Sequence, residues 1–309
     1  TRRRKGRQIN GILVLDKSAG VTSNRALQSC KRLFSAQKAG HTGSLDPLAT
    51  GVLPICFGEA TKFSQYLLDA DKCYFSEFQF GFGTTTGDAD GDVTEYQSAG
   101  HITTAKLLAA INSLLGSSLQ VPPMYSAIKQ QGQPLYKLAR RGEEVAREPR
   151  CIHIHRFELV NFVAGEQARA QVQVHCSKGT YIRSLATDLA AALGTVGHVL
   201  SLRRSAAGVF AEQQSHTLSA LQTIQESAGQ SALDKLLLPI DAGITHLPVL
   251  AVDESQALAL QQGKPINSAN QVSCGTVRVM LRGCFMGVAE QLADGQIRGK
   301  RLLAANSLV

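Results

Sequence analysis

Between Asp16 and Glu59 the chain carries a single carboxylate, Asp46, inside the run Gly40-His41-Thr42-Gly43-Ser44-Leu45-Asp46-Pro47-Leu48-Ala49-Thr50-Gly51. Glycines at 40, 43 and 51 free the backbone for turns and for close approach to a ligand. Pro47 disfavours the helical conformation at Asp46, which places the acid at a chain bend. Lys38, His41 and Lys62 lie nearby in sequence. An isolated carboxylate in a tight loop beside positive charge suits an ionised nucleophile that faces a polyanion. An Asp-Pro pair is also a common helix start, with Asp as cap and Pro at the first position, and the pair alone leaves both readings open. The run lacks the G-x-x-x-x-G-K-[ST] pattern, which argues against a phosphate-binding loop.

The elements around this loop follow from hydrophobic spacing. Residues 9–15 read as a strand and 24–34 as a helix capped by Thr22 or Ser23. Residues 52–57 form a short buried-type strand, and 59–68 have helical spacing. The alternation of Tyr74, Ser76, Phe78 and Phe80 against Phe75, Glu77 and Gln79 marks a half-buried strand over 74–82. Residues 105–115 form an amphipathic helix that ends at Gly116. Two more alternating runs, 151–160 and 168–176, precede a helix over 182–193 with Leu185, Leu189 and Leu193 on one stripe. Strands and helices mingle without strict alternation, so the expected class is α+β with a central mixed, largely antiparallel sheet. The turn-rich stretch 239–248 divides the chain into 1–246 and a β-rich module over 247–309, with a helix at 255–262 and strands at 277–281 and 285–289.

The 309 residues carry a formal charge of +8 with 44% hydrophobic content, a balance that favours a polyanionic partner for an ordinary globular chain. Seven cysteines are scattered without a C-x-x-C pair, which argues for a reducing cytoplasm and against both a disulfide framework and a zinc site. No residue cluster has metal-ligand spacing, and Asp88, Asp90 and Asp92 lack the glycine and the final Glu of a calcium loop. The apolar run after the basic start Thr1–Arg7 is too short for a signal peptide, and no stretch is long enough to span a bilayer. That basic start suits contact with an RNA backbone, simple disorder being the alternative. Residues 124–150 hold six basic residues (Lys129, Lys137, Arg140, Arg141, Arg147, Arg150) against three acids, which fits either a charged surface hairpin or an RNA-gripping arm.

The Gly40–Gly51 run resembles the catalytic loop of the TruB family of pseudouridine synthases, which modify uridine 55 in the T loop of tRNA. Further segments resemble the family's elements in the same order. They are Lys17-Ser18-Ala19-Gly20-Val21-Thr22-Ser23-Asn24, Lys72-Cys73-Tyr74, Ser177-Lys178-Gly179-Thr180-Tyr181-Ile182-Arg183-Ser184-Leu185 and Gly197-His198-Val199-Leu200-Ser201-Leu202-Arg203-Arg204. The match is nearest to bacterial, stand-alone members.

The resemblance implies that Asp46 is the catalytic aspartate and that Arg183 pairs with it. It implies that Tyr74 stacks on the flipped base, as a candidate for proton transfer. His41 would fill the space that the base vacates, while Tyr181 and Leu202 line the base pocket. Residues 124–150 become an RNA-grasping thumb, and 247–309 a PUA-like RNA-binding β-barrel. The implied partner is the T-arm stem-loop of tRNA, with no cofactor, metal, membrane or protein partner. Thr85 stands where relatives carry an acid in T-D-T-x-D-x-x-G, which removes any role for that carboxylate here. Two rivals are an RNA-folding chaperone without chemistry and a guide-dependent synthase of the same fold.

Overall fold

The computed structural model describes residues 6–130, 132–267, 275–292 and 294–303. Its centre is a ten-stranded sheet whose main path uses eight strands. In chain order these are β1 (Gly11–Lys17), β2 (Thr50–Phe57), β3 (Lys72–Phe80), β4 (Gly116–Gln120), β5 (Arg150–Val163), β6 (Arg169–Cys176), β7 (Gly197–Ala207) and β8 (His216–Thr217). Their spatial order is β8-β1-β2-β7-β3-β6-β5-β4. Pairing is antiparallel except at β1–β8 and β2–β7. The sheet is therefore mixed and largely antiparallel, in an α+β setting.

Strand sequence explains strand position. Ile12-Leu13-Val14-Leu15 is an unbroken apolar run, and all four side chains are buried, as suits a strand covered on both faces. In β3 the alternation sends Ser76, Phe78 and Phe80 into the main core with Val199 and Leu202 of β7. Phe75 and Arg203 pair on the opposite face. Helices Ser23–Leu33, Thr104–Ser113 and Ile182–Ala192 lay Leu27, Leu107, Ile111, Leu185 and Leu189 on that core. The first begins where expected, with the Thr22 hydroxyl accepting from Arg25 N–H at 3.2 Å. The helical run expected over 59–68 splits into a 3-10 turn, Gly58–Phe63, and a short α-helix, Ser64–Asp69.

One glycine fixes how the Asp46 loop enters the sheet. Gly51 has φ +101°, and a Cβ there would lie 2.2 Å from the Arg204 carbonyl oxygen. Only glycine lets β2 and β7 approach at this point.

Downstream of the turn-rich stretch, Val249–Val252, Gly275–Leu281, Cys284–Gln291, Gln296–Leu302 and Ile266–Asn267 form a curled five-stranded sheet, a half-barrel. Its helix, Glu254–Gln261, starts on an Asp253–Gln256 capping box. This sheet packs on the first part of the chain through Phe63, Ile244, Val288 and Leu303. The rings of Phe63 and Phe285 meet edge-on at 5.1 Å, and Arg278 Nη1 donates to Asp241 Oδ2 at 3.1 Å.

Thr1–Lys5 of the basic start lie outside the described residues. The Arg7 guanidinium is paired with Asp234. Within 124–150 the helix is only Leu135–Ala139, after a two-rung hairpin of Lys129–Gln130 with Gln133–Pro134, and Leu135 is buried. Among the described residues no helix is long and apolar enough to cross a membrane.

Candidate active site

Asp46 lies in an irregular loop, which decides between the two sequence readings of Asp-Pro: a bend, not a helix start. The loop is held from beneath. Ser23, buried at the start of its helix, accepts from Leu45 N–H at 2.7 Å and donates to Leu45 O at 2.9 Å. Gly20 N–H donates to Pro47 O at 2.8 Å. The Lys17 ammonium, 1% exposed, donates to Val21 O at 2.7 Å, Ser18 O at 2.9 Å and Pro47 O at 3.3 Å. Burial pulls the Lys17 pKa down to about 8, against the attraction of Asp46.

Arg183 grips the acid from the second residue of its helix. Nη2 donates to Asp46 Oδ1 at 3.0 Å, and Nε lies 2.9 Å from Oδ2 but off the line of a hydrogen bond. The same guanidinium donates to Thr86 O at 2.8 Å and Tyr125 O at 2.7 Å. It therefore joins the Asp46 loop to the Thr84–Gly91 turn and to the base of segment 124–150. A second acid, buried Asp88, stands 3.7 Å from Nε and accepts from the Thr86 hydroxyl at 2.5 Å.

The Asp46 carboxyl is pushed above its usual value, first by burial and then by Asp88, with Arg183 and Lys17 opposing. Its side chain keeps 36% of its surface open, so a substrate can reach it. Because a nucleophilic carboxylate must be ionised, the single-turnover rate is expected to fall on acidification. The midpoint should lie above the ordinary value of about 3.9. A pH profile at constant ionic strength checks this, and an acid limb at or below the ordinary value would contradict it.

Tyr74 is half-buried, and β3 pairs it with Arg204 of β7. Arg204 is 1% exposed, and its Nε donates to Val52 O at 2.7 Å while Nη2 donates to Gly43 O at 3.0 Å. It thus anchors the glycine turn of the Asp46 loop. Burial pushes the Tyr74 phenol up and Arg204 draws it down. The Tyr181 phenol is also raised by burial, with the neighbouring Ser126 and Arg150 opposing. Asp46 is close enough to Tyr74 and to Tyr181 to act on both electrostatically.

Leu202 is 8% exposed in the core, next to the Arg204–Tyr74 pair along the ladder. His41 pairs with Ile55 at the loop's entrance, its Nδ1 buried without a partner, and burial with Arg204 lowers its pKa. The structure thus gathers Asp46, Arg183, Tyr74 and Tyr181, with Leu202 and His41 on the flanks. Sequence reasoning passed over Lys17, Asp88 and Arg204 as site residues. A signal for one was present, since Arg204 shares the strand face of Leu202 two residues earlier.

An acid clamped by an arginine lies beneath half-buried tyrosines at the centre of a mixed sheet with a separate curled sheet, and the similarities of the chain place this arrangement among pseudouridine synthases. The chain belongs to the TruB family. Residues 31–182 match the TruB family pseudouridylate synthase N-terminal domain, 183–245 the tRNA pseudouridylate synthase B C-terminal domain, and 248–303 the pseudouridine synthase II TruB C-terminal model. The chain is 51% identical over 308 residues to tRNA pseudouridine synthase B of Saccharophagus degradans, covering 98% of each. It is 51% identical over 302 residues to that of Stutzerimonas stutzeri, covering 97% of this chain and 98% of the relative. Among solved structures, a Cbf5-Nop10-Gar1 complex superposes with TM-score 0.73 at 23% identity, covering 97% of this chain and 87% of that one. An H/ACA ribonucleoprotein with a substrate RNA containing 2′-deoxyuridine gives TM-score 0.72 at 20% identity, covering 100% and 92%. These two show a shared fold.

Proposed function

We propose that this protein isomerises uridine 55 in the T arm of tRNA to pseudouridine, with Asp46 as the nucleophile. The observation that carries the reading is the Asp46–Arg183 clamp, whose carboxylate is open to substrate on one side and held by buried cations on the other. The reaction breaks the bond from C1′ to N1, turns the base and joins C1′ to C5. It is an isomerisation and needs no outside oxidant or energy source.

A base inside a folded loop must be extruded to reach this depth. Tyr74 then stacks on it, Tyr181 and Leu202 line the pocket, and His41 takes the vacated place. His41 suits that task because burial and Arg204 disfavour its charged form and its Nδ1 lacks a protein partner. We divide the chain into a catalytic domain over 1–246 and an RNA-binding module over 247–309, with 124–150 as the gripping arm. Tyr125 O, at the root of that arm, already accepts from Arg183, which would couple RNA grip to the catalytic clamp.

The test uses a T-arm stem-loop as sole substrate, in EDTA and across a range of salt. Full conversion is expected, with affinity falling steeply as salt rises. Replacing Lys137, Arg140 and Arg141 by alanine should weaken binding far more than it slows the bound complex. A stem-loop left unmodified under conditions in which whole tRNA is converted would refute recognition of the T arm itself.

A further inference from the structure

We propose that Asp71, His155 and His175 form a binding site for a divalent transition-metal ion, with Zn2+ as its representative. It lies on the outer face of the sheet, where His155 and His175 are accessible while Ile154, Val174 and Cys176 are buried. His155 Nε2 stands 3.1 Å and His175 Nε2 3.8 Å from Asp71 Oδ2, and the three ligand atoms lie within 4.8 Å of one another. In a tetrahedral zinc site, with bonds of about 2.0–2.1 Å, ligand atoms sit roughly 3.3 Å apart. One pair is therefore already at bonding separation. The others would close by turning side chains that are 36–45% exposed.

The backbone is built in a way that favours this convergence. Along β5 and β6, Ile154 pairs with Cys176, but the next rung joins Arg156 to His175, so His155 is the extra residue of a β-bulge. A bulge of this kind re-aims a side chain. It allows His155 and Arg156 both to face outward while Ile154 and Phe157 are buried. His155 then stacks between His153 and His175, with ring centroids 4.6 and 4.7 Å away. His153 Nδ1 is engaged by the Ser117 hydroxyl at 2.8 Å, and His155 and His175 are the imidazoles that reach Asp71. Asp71 comes from the turn before β3, so a bound ion would tie three segments together just upstream of Tyr74.

Two imidazoles and one carboxylate select a borderline ion such as zinc over magnesium or calcium, which prefer all-oxygen shells. Three protein ligands leave a fourth position for water. The nearby positive charge of Arg156 is offset by Glu158 at 2.6 Å. No residue of this trio belongs to the proposed catalytic set. The spacing in sequence hid the cluster, because 71, 155 and 175 meet only through the sheet.

The test is a titration of tag-free, EDTA-treated full-length protein with Zn2+, and separately with Co2+ monitored by visible absorption. One equivalent of Zn2+ should bind and raise the thermal midpoint, and cobalt should give the intense absorption of a four-coordinate site. His155→Ala and His175→Gln should each weaken binding by roughly 10-fold or more, since even outer-shell changes cost that much at metal sites. Circular dichroism confirms that the variants fold, and pseudouridine formation should stay unchanged in both. Failure of the native protein to bind zinc, or equal binding by the native protein and a folded variant, would overturn the site and leave a plain His–Asp ion pair.

Discussion

Replacing Asp46 by asparagine is expected to lower single-turnover pseudouridine formation by on the order of 10^4-fold or more, as loss of a nucleophile does in other enzymes. The amide keeps the size of the side chain and still offers Arg183 Nη2 an acceptor, so affinity for T-arm RNA should change by no more than about threefold. The variant should also be no less stable at neutral pH. The folded Asp46 carboxyl is raised, chiefly by burial. The folded state thus holds this proton more tightly than the unfolded chain, and the associated stabilisation is present at low pH and lost as pH rises through the folded value. At neutral pH the charge costs stability, and the neutral amide removes that cost while Asp88 still faces the buried Arg183 guanidinium. Thermal melts beside rapid-quench kinetics read both halves. A stable, RNA-binding asparagine variant that still turns over would end the nucleophile assignment.

The second large effect belongs to Arg183. Its guanidinium is 4% exposed and holds Asp46, Asp88, Thr86 O and Tyr125 O together. Removing one partner of a fully buried pair costs about 3–5 kcal/mol, and since Asp46 is partly open to solvent we expect about 2–4 kcal/mol for Arg183→Gln. Activity should fall as well, because the carboxylate loses the group that orients it. Arg183→Lys should rescue little, since an ammonium cannot reproduce the planar fork that reaches two carbonyls and an acid. Adding Asp88→Asn to Arg183→Gln should restore part of the stability, because it removes the second unpaired buried charge. Denaturant unfolding of the single and double variants measures this coupling. Additive losses would show that Arg183 and Asp88 do not act on one another.

The parts of the site that were legible in the sequence are the local ones. The Asp46 loop announces itself through three glycines and one proline within twelve residues, and the structure keeps it as a bend. Strand β3 was legible because its alternation is clean over Tyr74–Phe80. Arg183 was placed by resemblance, since on its own it is one more cation near a helix start. Lys17, Asp88 and Arg204 escaped because each gains its meaning from a partner far along the chain: Pro47 for Lys17, Arg183 for Asp88, and Gly43 and Val52 for Arg204. Their types read as surface charge, and only burial reveals them as supports. The bulge at His155 was hidden for a different reason, since regular alternation would have put 155 and 156 on opposite faces. The arm 124–150 kept both of its sequence readings, a compact hairpin with Leu135 buried being compatible with either.

The proposed activity rests on one claim, that the carboxylate of Asp46 acts on a single uridine of the tRNA T loop. The most direct measurement incubates full-length unmodified tRNA with the native protein and with Asp46→Asn, then maps pseudouridine at every uridine at nucleotide resolution. Complete conversion is expected at position 55 alone with the native protein, and none anywhere with the variant. Conversion at another uridine, no conversion by the native protein, or conversion by the variant would contradict it.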